Sequence, residues 1–69
     1  KLDMAEAIVY ESLNARDKAI YDMKVGRHGK SAIPNQQIAQ RLGVTPALIS
    51  QRSAQIAGQM QDLIHRGQV

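Results

Sequence analysis

NQQIAQRLGVTPALISQRSA, residues 35 to 54, combines apolar residues, a tight turn and a helix start at fixed spacing. Ile38, Ala39 and Leu42 fall on one face of a first helix, and Gly43 can take the left-handed conformation that stops it. Thr45 then caps a second helix through its hydroxyl, with Pro46 at the first helical position, where a missing N–H costs nothing. Val44 and Ile49 face back into the bend. Ala39 stands where the two helices cross closest, so a larger side chain would wedge them apart. Together these positions predict a helix-turn-helix, although any αα-hairpin with a glycine turn shares part of the pattern. Arg52 dissents, because an apolar residue is usual at its place. Either its stem lies over the core with the charge outside, or the second helix is slightly rotated.

The flanks supply the rest of an all-α domain. Residues 3–12 read as a first helix, with Ala5, Ile8 and Val9 on one face and Glu6 and Glu11 towards water. Asn14 is a good N-cap, and Asp17 three residues on completes a pattern like a capping box while favouring the positive end of the helix dipole. A second helix over 14–24 would turn Ala19, Ile20 and Met23 inward, with Leu13 as a staple before the cap. The motif itself gives helices over 34–42 and 46–66. Gly58 lowers propensity in the last of these by about 1 kcal/mol relative to Ala without breaking it. Ile49, Ser53, Ile56, Met60, Leu63 and Ile64 recur at helical spacing, so this long helix must bury a stripe beyond the motif. Helix one is one candidate to cover it, and a second copy of the chain, giving a homodimer through helix one and the C-terminal helix, is the other. Gln51, Gln55, Gln59 and Gln61 lie largely off the stripe, where amides suit DNA edges, an interface or plain solvent.

With 69 residues the chain makes one small domain, near the size at which a single core is marginal. Two tyrosines and no Trp or Phe leave an aliphatic core. The lack of Cys excludes disulfides and thiolate metal sites, and no apolar run is long enough to span a bilayer, so a cytoplasmic protein is the expectation. The chain lacks an initiator Met, as a piece of a longer protein would. Its net charge of +3 understates an asymmetry: of six acids, all but one precede Met23, and none lies between Met23 and Gln61. That stretch carries Lys24, Arg27, Lys30, Arg41 and Arg52, a one-signed field suited to a polyanion.

Within it, KVGRHGKSAI at residues 24 to 33 tempts a nucleotide-binding reading, since GKS ends a phosphate-binding loop. That loop needs a glycine where Lys24 stands and a strand before it, where a helix is expected. Gly26 and Gly29 echo the loop of RNA-binding KH modules, but no alternating β-branched run supplies the sheet. The stretch is better read as a flexible basic connector whose Arg27, His28 and Lys30 reach a phosphate. His28 and His65 are too isolated for a metal site, and no nucleophile, base or paired-carboxylate arrangement suggests an enzyme or a cofactor.

One further pattern supports a comparison. L-x-x-R-D-x-x-I at Leu13, Arg16, Asp17 and Ile20 precedes Val25-Gly26, then Gln37-Ile38-Ala39, then Val44-Thr45 and Ile49 with Gln51. Over roughly residues 9 to 64 this resembles region four of bacterial RNA polymerase sigma factors, the part that reads the minus-thirty-five promoter element. The Ser50-Gln51 pair, with Gln55 beyond, is closer to flagellar-type sigma factors. L-G-V-[ST] followed by I-S-Q is also similar to phage repressors of the Cro and CI type. Pro46 and Ala47 stand where primary sigma factors place base-reading Arg and Glu, and Ser50 replaces another arginine. The resemblance therefore implies the fold and duplex DNA binding rather than the same promoter sequence, and implies RNA polymerase as a partner only by analogy.

The expectation is an all-α, four-helix domain that binds duplex DNA in transcription through its long last helix. Thr45, Pro46, Ala47, Ser50, Gln51 and Ala54 would face bases, and Arg27, Lys30, Arg41 and Arg52 would meet phosphates. Only Ser50 and Gln51 hydrogen-bond base edges well, so one copy alone would bind weakly. The rival readings are a protein-interaction module on the same scaffold, indifferent to DNA, and a nucleotide-dependent enzyme through GKS.

Overall fold

Asn14, in extended conformation, accepts a hydrogen bond from the Asp17 N–H at 2.8 Å and so starts one helix just after another has ended. The computed structural model describes residues 2–67, except the side chains of Leu2 and His28, so the phosphate contact expected of His28 falls outside it. Its helices are α1 (Leu2–Ser12), α2 (Ala15–Val25), α3 (Asn35–Leu42) and α4 (Pro46–His65), with no strand among the described residues. These ends follow the local signals closely. Gly26 and Gly43 both close their helices in the left-handed conformation, at φ 70° and 69°. Thr45 accepts from the Leu48 N–H at 3.2 Å, and Pro46 opens α4.

The core forms two clusters joined along α4. Ile20, Ile38, Ala39 and Ile49 are buried where α2, α3 and α4 meet, with Met23, Ile33, Leu42 and Val44 packed around them. The three isoleucines are fully covered, each contributing about 2 kcal/mol by leaving water. The second cluster is Ala5 and Val9 of α1 against Ile56 and Met60 of α4, flanked by Leu13, Tyr21, Leu63 and Ile64. Within the chain, α1 covers Ile56 and Met60 of the C-terminal stripe, and Leu63 and Ile64 are partly buried against the same cluster.

Three details of the inward faces differ from the sequence reading. Ile8 is 49% exposed, because Ala5 and Val9, four residues apart, aim α1 at α4 and leave Ile8 beside that line. Glu6 does not simply face water: it accepts a hydrogen bond from the Tyr21 hydroxyl. Burial and then this bond push the Tyr21 phenol up to about 12. Ser53 is only half-buried, although its hydroxyl oxygen is shielded and has no partner among the described residues.

Asp17 gives the largest correction. The capping pattern and the helix dipole account for an acid here but not for its burial: it is the one buried charged side chain among the described residues. Arg52 reaches it from α4, with Nη2 donating to Oδ2 at 2.6 Å.

Candidate nucleic-acid interface

The first turns of α4 present one side to the core and the other to solvent. Ile49 points inward, which leaves Pro46, Ala47, Ser50, Gln51 and Ala54 exposed together with the capping Thr45. Residues 47, 50, 51 and 54 are three and four apart, so they form one continuous stripe. The Thr45 oxygen is committed to the helix start as an acceptor.

Two residues that sequence reasoning did not assign to this surface join it. The Lys24 ammonium donates to Oδ1 of Asn35, and Nδ2 of Asn35 donates to the Ser50 hydroxyl at 2.9 Å. The end of α2, the start of α3 and the second turn of α4 thus meet in one polar chain. Asn35 orients Ser50 as an acceptor, so the Ser50 O–H remains available to donate. Lys24 was visible in the sequence as one cation of the acid-free stretch; its position beside the stripe depends on contacts spanning 11 and 15 residues.

The other basic residues are distributed differently from the expectation. The Arg52 guanidinium is held by Asp17 through Nε and Nη2, and its Nη1 donates to Gln55. It therefore serves the core rather than a phosphate. Burial alone would raise the Asp17 carboxyl, but the hydrogen bonds and charge of Arg52, helped by Arg16, outweigh it and hold the group below the usual carboxylate range. Arg27 is likewise engaged: its guanidinium lies 3.9 Å from the Tyr10 ring centre, and its Nε is 3.8 Å from Asp22. The connector carrying it contains a 3-10 turn at Arg27–Gly29 and a hydrogen bond from Ile33 N–H to the Met23 carbonyl at 2.9 Å. Lys30 and Arg41 are exposed, and with Arg27 they line a cavity between α2, the connector and α3 to which α4 contributes nothing.

Among the described residues no cluster of His and carboxylates is placed to hold a metal ion, and no helix is long and apolar enough to cross a membrane. Compared with family models, curated proteins and solved structures, the chain matches none.

Proposed function

We propose that this chain binds duplex DNA, with α3, the Gly43 turn and α4 acting as a helix-turn-helix and the exposed stripe of α4 entering the major groove. The observation that carries the reading is the hydrogen-bonded chain from Lys24 through Asn35 to Ser50. It sets a cation and two amide or hydroxyl groups beside Gln51 in a stretch without acids. Gln51 can give and take hydrogen bonds with an adenine edge, and Ser50 can donate to a base acceptor. Lys24 would meet a phosphate and fix the register of the helix in the groove. Arg52 and Arg27 have no part in this docking, being held by Asp17 and by Tyr10 with Asp22.

Such a surface suits the promoter-reading part of a sigma-like factor, or a repressor of the phage type, acting on bacterial DNA in transcription. Few of its side chains reach base edges, so one copy would bind modestly and act within a larger assembly, RNA polymerase being the partner the sigma resemblance implies. Selection of bound sequences from random duplex DNA tests the proposal. Enrichment of a short motif, with affinity that falls as salt rises, is the expected result. No enrichment and no saturable binding at low salt would overturn it.

A further inference from the structure

The connector after α2 builds a second feature, separate from the α4 stripe. A cavity of about 490 Å³ lies between the end of α2, residues 27–33 and Arg41 of α3. That volume lies within the range of small-molecule sites, roughly 300–1,000 Å³. Its polar lining is Arg27, Lys30, Ser31 and Arg41, with Asp22 as the one carboxylate. Three cations against one acid leave the lining with a formal charge of +2.

The cavity is held in shape before any ligand arrives. Gly26, at φ 70°, brings the chain so close that a Cβ there would lie 2.3 Å from the Lys30 carbonyl oxygen. Ile33 N–H closes the far end of the loop on Met23. Asp22 accepts from the Tyr10 hydroxyl through Oδ2 at 2.9 Å, while its Oδ1, 3.8 Å from Arg27 Nε, is buried without a hydrogen-bond partner among the described residues, so Arg27 faces this carboxylate on one side. Arg27 is fixed by its stacking on Tyr10, yet its Nη1 is buried without a hydrogen-bond partner among the described residues. A guanidinium pinned by an aromatic face and left with an open donor suits a tetrahedral oxyanion.

From this arrangement we infer that the cavity binds the phosphate group of a small phosphoester. Arg27 and Arg41 offer guanidinium N–H groups, Lys30 a point charge and Ser31 a hydroxyl donor. A phosphate monoester, at about −1.5 to −2 charge near neutral pH, answers the lining charge better than a carboxylate does. The Gly29-Lys30-Ser31 run thereby gains a role without being a nucleotide-binding loop of the usual kind, because the helix α2, not a strand, leads into it. A phosphate of the DNA backbone shares the same chemistry, but none of the α4 stripe lines the cavity.

Amide NMR of the whole chain, titrated with methyl phosphate at constant ionic strength against a chloride control, decides the matter. Saturable shifts confined to Gly29, Ser31, Ala32 and their neighbours are expected. Arg41→Gln, an exposed change that retains the helical spectrum, should weaken this binding roughly tenfold, the loss of one charge-assisted hydrogen bond. Ser31→Ala should weaken it less. Shifts that rise linearly and spread to remote basic residues such as Arg66 would overturn the assignment, as would none at all. So would the same amides answering a DNA duplex but not methyl phosphate, since the site would then belong to the DNA backbone.

Discussion

Arg52 and Asp17, 35 residues apart in sequence, close α4 onto α2 through two hydrogen bonds, Nη2 to Oδ2 at 2.6 Å and Nε to Oδ1 at 3.3 Å. Asp17 is 2% exposed, and Arg52 retains 24% of its side-chain surface in solvent. The arginine at a position usually apolar is thus matched by an acid at the start of another helix. Removing one partner leaves the other desolvated, whereas replacing both by apolar residues removes the cost together with the attraction. Asp17→Asn should destabilise by about 2 kcal/mol, less than a fully buried pair because Arg52 is partly in water. Asp17→Leu with Arg52→Met should be more stable than the sum of the single changes predicts. Urea unfolding of the four proteins measures the coupling, and simple additivity would mean that the pair contributes nothing.

The same pair sets an acid limit. The Asp17 carboxyl is held below its ordinary value of 3.8 in the folded chain, so on acidification the unfolded chain takes up the proton first. The pair's stabilisation is therefore complete above the ordinary value and is lost as pH falls through the depressed one. The melting temperature should fall below about pH 4 more steeply than in the Leu–Met double variant, which lacks the group. Parallel decline of the two curves would show that other carboxyls govern the acid transition.

Gly26 and Gly43 share a left-handed conformation but differ in surroundings. A Cβ at Gly26 meets backbone at 2.3 and 2.8 Å, while one at Gly43 meets nothing within 4 Å. Gly43→Ala should cost about 1 kcal/mol, the conformational penalty alone. Gly26→Ala should cost distinctly more, because the connector must move as well. Thermal melts of the two variants compare them directly, and equal losses would contradict the close approach of the loop.

Ala39 is 2% exposed among Ile20, Ile38 and Ile49. Ala39→Leu should therefore destabilise by about 1–3 kcal/mol through overpacking. A variant that unfolds at the same urea concentration as the parent would place this contact elsewhere.

The helices were legible because their ends are written locally, in Asn14 before α2, Gly43 after α3 and Thr45-Pro46 before α4. Long-range pairing was less so. Asp17 carries the marks of an exposed first turn, and its burial depends on Arg52, whose unusual position was the only hint. Arg27 looked free because nothing nearby in sequence announces the Tyr10 ring beneath it. Ile8 fits the apolar spacing of α1, but the line from Ala5 to Val9 decided the orientation. On the candidate surface, the stripe from Pro46 to Ala54 followed from helical period alone, whereas Lys24 and Asn35 joined it only through the packing of α2 and α3 beside α4.

The docking of α4 is tested most directly by one ratio, the affinity for a selected duplex over that for a scrambled duplex of equal length, for the parent chain and Gln51→Ala at the same salt. Gln51 is exposed on the stripe, so its loss should leave the fold intact while removing one base contact. The parent should prefer the selected duplex, and Gln51→Ala should lose most of the roughly tenfold or greater discrimination that a base contact of about 1–3 kcal/mol supplies. A parent chain without preference, or a Gln51→Ala variant that weakens both duplexes alike and keeps the ratio, would contradict the account.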